Sequence, residues 1–195
     1  HSSEPQTGVN AIVIASQIVN SLMTILGSNI SPYDVATFSI CKISGGDAIN
    51  IIPDFAEMSG MIRCVEKSNK IIIREKMKSL VESVANGMGG RAEFDIIEGF
   101  PSVINDSALS RAVLEAAEKS LNSKEDIILI ERPHLGSEDF SYYQEVVPGV
   151  MFMLGCRNTD FETGGLHSAV LNIDENSLEY GVKIFANIAL NICGK

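Results

Sequence analysis

The sequence lacks the motifs by which most metal and nucleophile sites are recognised. It contains no His-x-x-x-His, no Cys-x-x-Cys and no Gly-x-Ser-x-Gly, and its only histidines are His1, His134 and His167. A catalytic zinc ion takes three protein ligands and a structural one takes four. If His167 is catalytic, most of its site must therefore lie outside these residues.

Basic residues and long apolar runs are also scarce. Lys plus Arg total 15 against 25 Asp plus Glu, which gives a formal net charge of −10. Phosphate contacts need clustered Lys and Arg, so we expect neither a nucleic acid nor a membrane as partner. No apolar run approaches the roughly 18 residues of a spanning helix, and no signal peptide is recognisable. These features predict a cytoplasmic protein.

Four cysteines, widely and irregularly spaced, are not typical of a disulfide scaffold. Cys41 and Cys64 lie inside apolar runs, so we predict that both are small buried hydrophobic residues. The hydrophobic fraction of 45% is that of an ordinary globular protein with a substantial core.

The first hundred residues alternate between helical and strand periodicities. Apolar spacings of three and four residues predict helices at about 9–26 and 70–86. Period-two alternation predicts strands at 35–43, 56–65 and 92–97. Helices that cover one face of an antiparallel sheet form a two-layer α+β sandwich. A fourth strand directly before His1 would complete a split β-α-β arrangement.

The pattern changes after residues 99–101 (Gly-Phe-Pro). The predicted elements of this second half are helices at 106–121, 138–146 and 175–193 and short strands at 127–130 and 150–154. The last helix is predicted to carry Leu178, Val182 and Phe185 on one apolar stripe. Because two short strands enclose little core, this half is interpreted as part of an α/β layer whose other strands lie elsewhere.

Several polar residues have both a structural and a functional interpretation. His167 follows two glycines in a loop, where it is either an exposed histidine or a ligand beyond the end of a strand. Glu138 and Asp139 either complement a helix dipole or shape a pocket. Arg63, inside an apolar run, either keeps its head in water or binds a carboxylate. His1 is either at a frayed terminus or functional.

Taken in order, four motifs resemble one family. Two motifs are similar to the lid domain of the dinuclear-zinc aminoacylase and carboxypeptidase-type metallopeptidases. They are residues 1–12 (His-Ser-Ser-Glu-Pro-Gln-Thr-Gly-Val-Asn-Ala-Ile) and residues 45–53 (Gly-Gly-Asp-Ala-Ile-Asn-Ile-Ile-Pro) followed by Arg63. Residues 136–141 (Gly-Ser-Glu-Asp-Phe-Ser) and 166–168 (Leu-His-Ser) resemble the amidohydrolase branch, which includes hippurate and auxin-conjugate hydrolases.

The resemblance implies a metal-dependent hydrolase that cleaves the amide bond of N-acyl amino acids or small peptides. Residues 1–103 would be the lid, an α+β two-layer sandwich with an antiparallel four-stranded sheet and two helices, and would carry the homodimer contact. Residues 104–195 would be the C-terminal portion of an α/β zinc-peptidase-like catalytic domain. The N-terminal catalytic segment, with the other metal ligands and the catalytic Glu, would lie outside this chain. This portion alone is therefore expected to be inactive.

The resemblance also assigns roles to individual residues. His167 would be the last ligand of a site for two zinc ions or other divalent metal ions. His1 would reach the active site of the neighbouring subunit and stabilise the oxyanion. Four residues would contact the substrate: Asn50, Arg63, Ser137 and Glu138.

Two other functions stay open. The first is a stand-alone association module, which dimerises without catalysis; the missing metal ligands and the amphipathic first helix favour it. The second is a ferredoxin-like nucleic-acid binder, which would need basic and aromatic residues on the open face of the sheet. Such residues are few on the predicted strands.

Overall fold

A computed structural model describes residues 1–160 and 162–193 of the chain. The chain folds into two compact units. The first comprises residues 1–102 together with Pro133–Ser137, and the second comprises residues 103–132 together with the chain from Glu138 onward. Among the described residues, no helix combines the length and the apolar character needed to cross a membrane. The cytoplasmic location stays a prediction.

The first unit contains three helices and a pair of strands. In chain order they are α1 (Ala11–Leu22), α2 (Ile25–Asn29), β1 (Ala36–Gly45), β2 (Ala56–Cys64) and α3 (Lys67–Gly87), after a 3-10 turn at Pro5–Thr7. The Asn10 side chain caps α1 by accepting hydrogen bonds from two N–H groups of its first turn, which the helix itself leaves unpaired. The predictions of β1, β2 and α3 are confirmed, whereas the single first helix is divided in two.

The antiparallel ladder between β1 and β2 contains a β-bulge. Its register shifts between Ile40 and Lys42, so Cys41 is an extra residue in β1. Cys41 is exposed, and the prediction that it is buried is wrong because the bulge removes it from the alternation of inward and outward side chains. Gly60 of β2 pairs with Ile40, and a Cβ at Gly60 would lie 2.3 Å from the backbone oxygen of Ser39.

The core of the first unit lies between its helices and one face of the sheet. Eight buried side chains form the core cluster: Ile14, Ile18, Leu22, Ile25, Ile73, Met77, Val81 and Ala85. Phe38 and Ile40 of β1 and Ile62 of β2 pack against this cluster. Since side chains alternate along a strand, Arg63 lies on the opposite face of the sheet.

The sheet has two strands in the described part of the chain, not the predicted four. Residues 92–97 show the burial alternation of a strand, with Ala92, Phe94 and Ile96 half-buried between exposed neighbours. Ala92 and Phe94 pack against the core cluster. This segment nevertheless joins no ladder, because alternation positions side chains but does not supply a hydrogen-bonding partner. The four-stranded sheet stays a prediction.

The second unit is built on two packed helices. Its elements are α4 (Ser107–Ser120), a 3-10 turn (Lys124–Asp126), α5 (Phe140–Gln144) and α6 (Asn176–Cys193). The carboxylate of Asp106 caps α4 by accepting from two N–H groups of its first turn. α4 and α6 pack together, and the side-chain amide of Asn187 on α6 donates to Ser120 Oγ of α4 at 2.8 Å.

Much of the apolar surface of the second unit is uncovered. On α6 the side chains of Leu178, Val182 and Phe185, which form the predicted stripe, are more than half exposed, whereas Ser177 and Ile184 are buried. The predicted strands at 127–130 and 150–154 form no ladder in the part of the chain that the structure describes. An apolar periodicity identifies a face that can be buried, but it does not say what buries that face.

Candidate functional site

His1 and Asn50 lie near each other, at the end of the sheet where β1 finishes and β2 begins. The N–H of Ser2 donates to the carbonyl oxygen of Asn50 at 3.0 Å. The imidazole Nδ1 of His1 accepts a hydrogen bond from the N–H of Ser3 at 3.2 Å and lies 2.7 Å from Ser3 Oγ. Because Nδ1 is an acceptor, the neutral ring carries its proton on Nε2, and this N–H is the donor that His1 can offer to a ligand.

The connection between β1 and β2 positions Asn50. It begins at Gly46, whose φ of 79° lies in the left-handed region that glycine adopts without steric cost. The carbonyl of Pro53 accepts from the N–H of Ala11 at 3.4 Å, which ties the connection to the start of α1. Residues 46–48 and 51–55 line a pocket of about 120 Å³. Ligand pockets usually measure about 300–1,000 Å³, so this pocket is too small to be a substrate site by itself.

Arg63 binds the segment Pro133–Ser137, which belongs to the same unit. Its Nη1 donates to the carbonyl oxygen of Leu135 at 2.7 Å and to Ser137 Oγ at 3.1 Å. The guanidinium is half-buried on the open face of the sheet. Nη1 of Arg63 is therefore held by this segment rather than by a carboxylate, and its other N–H groups remain as possible donors to a substrate.

Glu138 lies in the turn that precedes α5. Its carbonyl oxygen accepts from Ser141 Oγ at 2.6 Å and from the N–H of Ser141 at 3.3 Å. Ser141 is buried and Glu138 is exposed. The backbone of Glu138 thus starts the helix, while its carboxylate faces solvent.

His167 is exposed and is the only residue other than glycine with a positive φ, 67°, in the described ranges. It occupies a turn closed by the hydrogen bond from the N–H of Ser168 to the carbonyl of Gly165 at 3.1 Å. A second hydrogen bond, from the N–H of Gly164 to the carbonyl of Val170 at 3.1 Å, closes the loop around that turn. Backbone strain of this kind is common at functional positions, because the surrounding structure must hold it in place.

The residues present do not by themselves fit a two-metal site. No group of three or more His, Cys, Asp or Glu side chains able to hold a metal ion occurs in residues 1–160 and 162–193. His167 offers one imidazole nitrogen, whereas each zinc ion takes at least three protein ligands. Any such site therefore requires ligands from elsewhere.

The half-buried cysteine beside Arg63 is not a substitute ligand. Burial raises the pKa of the Cys64 thiol, and the nearby Lys70 ammonium offsets this only in part. Since the thiolate is the form that binds metals and attacks substrates, Cys64 is mostly inert at neutral pH. The alternative interpretation of Cys64 as a small packing residue fits its contact with the core cluster.

The return of Pro133–Ser137 to the first unit is the main feature that the sequence analysis missed. It brings Ser137 to Arg63 across 74 positions of sequence. The sequence contains both partners of this contact, an arginine inside an apolar strand and a distant Gly-Ser pair. Neither pattern specifies the other as its partner. The left-handed conformation of His167 was likewise not foreseen, although Gly164-Gly165 marked the loop as unusual.

Comparison with known proteins finds relatives over almost the whole chain. Residues 1–88 match a family model described as a peptidase dimerisation domain. The N-acetylcysteine deacetylase of Bacillus subtilis (strain 168) is 32% identical over 190 residues, which cover 97% of this chain and 48% of that protein. The chain spans about half the length of the curated relatives it matches.

Two solved structures share the fold. A putative aminohydrolase from methicillin-resistant Staphylococcus aureus superposes with a TM-score of 0.86 at 26% identity, covering 98% of this chain and 49% of that one. A dinuclear metal-binding peptidase of the M20 family from Bacillus subtilis gives a TM-score of 0.77 at 30% identity, covering 94% of this chain and 46% of that one.

Proposed function

We propose that this chain is part of a metal-dependent hydrolase. The premise is that residues 1–88 match a peptidase dimerisation domain and that the chain is a homologue of the M20-family amidohydrolases and peptidases. The substrates of this hydrolase are N-acyl amino acids or small peptides, whose amide bond it cleaves. The observation that carries this proposal is the likeness, over 97% of the chain, to a protein named for deacetylating N-acetylcysteine.

Two histidines have the central roles in this proposal. His167 supplies one ligand to a site for two zinc ions or other divalent metal ions, and its exposed, turn-held imidazole supports that role. His1 acts in the active site of the neighbouring subunit of a homodimer, where its Nε2–H donates to the oxyanion. Removing one such donor typically costs about 3 kcal/mol of transition-state stabilisation.

The substrate contacts come from both sequence motifs. Asn50 binds the carbonyl of the substrate, and the N–H groups of Arg63 other than those on Nη1 bind its carboxylate. Ser137 positions Arg63 through the hydrogen bond of 3.1 Å, and Ser137 and Glu138 each contact the substrate.

The domain organisation follows the same proposal. Residues 1–103 form the lid and residues 104–195 form the C-terminal portion of the catalytic domain. The lid has four strands in this proposal, which is supported by the strand-like burial alternation of residues 92–97 and by the second edge of β2, which is unpaired among the described residues. The additional strand lies between them and leads to His1, which places it antiparallel to β2. An N-terminal catalytic segment supplies the other metal ligands and the catalytic Glu.

The test compares metal content and hydrolysis in a polypeptide that includes the N-terminal catalytic segment and in residues 1–195 alone. We expect about two metal ions per chain and hydrolysis of N-acetyl amino acids only in the longer polypeptide. In that polypeptide, His167→Ala removes hydrolysis and lowers the metal content, whereas His134→Ala, a matched change at another exposed loop histidine, leaves the metal content unchanged. Hydrolysis by residues 1–195 alone that survives His167→Ala would contradict the proposal.

The second candidate, an association module without catalysis, rests on one observation. The described residues hold no group of three potential metal ligands. The same measurement separates the two functions, because the association module predicts a longer polypeptide that dimerises without stoichiometric metal.

A further inference from the structure

The imidazole of His1 is held by one residue through one ring nitrogen. Ser3 approaches Nδ1 twice, with its backbone N–H at 3.2 Å and with its Oγ at 2.7 Å. The opposite nitrogen, Nε2, has no hydrogen-bond partner among residues 1–160 and 162–193. The hydrogen bonds that orient the ring therefore lie on one of its edges, and the other edge is left for a ligand.

A tight turn brings Ser3 back to this ring. The N–H of Glu4 donates to the carbonyl oxygen of His1 at 3.0 Å, which closes a β-turn of four residues with Ser3 in its third position. The N–H of Ser2 donates to the carbonyl oxygen of Asn50 at 3.0 Å and ties the turn to the connection between β1 and β2. Backbone hydrogen bonds on either side of Ser3 thus hold it in place beside the imidazole.

The two groups of Ser3 differ in what they can do. A backbone N–H only donates, so its contact requires Nδ1 without a proton and puts the proton of the neutral ring on Nε2. A hydroxyl can donate or accept, and in this tautomer the Ser3 hydroxyl donates to Nδ1. Alanine at this position keeps the N–H and loses the hydroxyl, so the shorter of the two contacts can be removed by itself.

The hydroxyl contact determines where Nε2 points. Rotation about the Cβ–Cγ bond of histidine is broad and roughly two-fold, so the ring takes one direction only where a neighbour fixes it. With the backbone N–H alone, the imidazole can swing about a single weak contact of 3.2 Å. With the hydroxyl as well, two donors converge on Nδ1, and the Nε2–H on the far side of the ring is aimed in one direction.

We infer that Ser3 is a positioning residue for His1, whose hydroxyl holds the imidazole in the tautomer and the orientation in which Nε2–H donates to the oxyanion. The inference rests on the proposed function, in which His1 acts in the active site of the neighbouring subunit. Because the oxyanion develops in the transition state and is absent from the bound substrate, a loss of this orientation lowers kcat and leaves KM nearly unchanged.

The test measures hydrolysis of N-acetyl amino acids by the polypeptide that includes the N-terminal catalytic segment. Ser3→Ala should lower kcat about 3–10-fold, the effect of one hydrogen bond, with KM within about twofold of wild type. Ser3→Thr keeps a hydroxyl and should restore kcat to within about threefold of wild type. Ser2→Ala is the matched control, because it removes a neighbouring hydroxyl that has no hydrogen-bond partner in the described part of the chain; it should change neither constant.

A second background separates positioning from a general structural effect. In His1→Ala the ring that Ser3 holds is gone, so adding Ser3→Ala should lower kcat by less than about twofold, since residues that act through one another are not additive. An equal loss in both backgrounds overturns the inference, as does a Ser3→Ala variant with the kcat of wild type beside an impaired His1→Ala. A fully active His1→Ala variant instead overturns the proposed role of His1.

The tautomer itself provides a readout that does not depend on hydrolysis. In residues 1–195, in alkaline buffer where imidazoles are neutral, ¹⁵N NMR should show Nδ1 of His1 without a proton and Nε2 as the N–H. His1→Ala identifies these signals among those of the three histidines. Ser3→Ala should move both shifts toward those of an imidazole that exchanges freely between its tautomers. Shifts that stay the same in Ser3→Ala overturn the hydroxyl contact, whether or not the longer polypeptide is active.

Discussion

The positive φ of His167 leads to a prediction in which a loss of function accompanies a gain in stability. His167 is held at φ 67° by the turn from Gly165 to Ser168. A residue with a Cβ pays about 1–2 kcal/mol for the left-handed conformation, whereas glycine does not. Glycine is also more flexible in the unfolded chain, and this offsets about 0.4–1 kcal/mol of the stability that a glycine variant gains by relieving the strain.

Two substitutions separate the backbone from the side chain. His167→Ala keeps the strain and loses an exposed imidazole that contributes little packing, so its unfolding free energy should change by less than about 0.5 kcal/mol. His167→Gly relieves the strain and should be about 0.5–1 kcal/mol more stable than His167→Ala. If His167 is a metal ligand, both variants of the polypeptide that includes the N-terminal catalytic segment lose hydrolysis.

The measurement is urea denaturation of each variant, and His134 provides the control. His134 is another exposed loop histidine, but its φ is not positive. There the order should reverse, with the glycine variant about 0.4–1 kcal/mol less stable than the alanine variant. The same order at both positions would refute the argument that the turn imposes strain on His167.

Three further predictions concern the first unit. Arg63→Met should lower its unfolding free energy by about 1–3 kcal/mol, since both hydrogen bonds of Nη1 are lost; a change below 0.5 kcal/mol in urea denaturation would contradict this. Gly60→Ala should cost about 1–3 kcal/mol, because the added Cβ meets a carbonyl oxygen at 2.3 Å, whereas Gly87→Ala, with no atom within 4 Å, should be neutral or stabilising. At pH 8, iodoacetamide should label the exposed Cys41 well before Cys64, since burial raises the pKa of the Cys64 thiol and lowers its thiolate fraction; equal rates by mass spectrometry would contradict that cause.

The elements of the first unit could be predicted from sequence where a single pattern determined them. The alternation in β1 and β2 and the periodicity of α3 are local properties, and each is satisfied by contacts within the same unit. The bulge at Cys41 could not be predicted, because it arises from the pairing of two strands and the close approach of Gly60. Residues 92–97 show the opposite case. Their burial alternates as in a strand, but they pair with no other strand in the described part of the chain.

The site and the second unit were harder to predict for a related reason. Apolar residues of α6 such as Leu178 and Val182 are exposed, so its periodicity indicated a surface whose partner does not lie among the described residues. The motif residues were found by resemblance rather than by spacing. The partners of Arg63 depend on a contact across 72 positions of sequence, which no local pattern encodes.

The return of Pro133–Ser137 to the first unit also affects the order in which this chain folds during synthesis. Residues 103–132, which include α4, are made between the two parts of the first unit. At about 5–20 residues per second, the 35 residues from 103 to 137 take roughly 2–7 s to synthesise. For that interval Arg63 has neither the carbonyl of Leu135 nor the hydroxyl of Ser137 to bind. Ribosome pausing between these positions would therefore prolong a state in which the sheet is formed but its arginine is still unpaired.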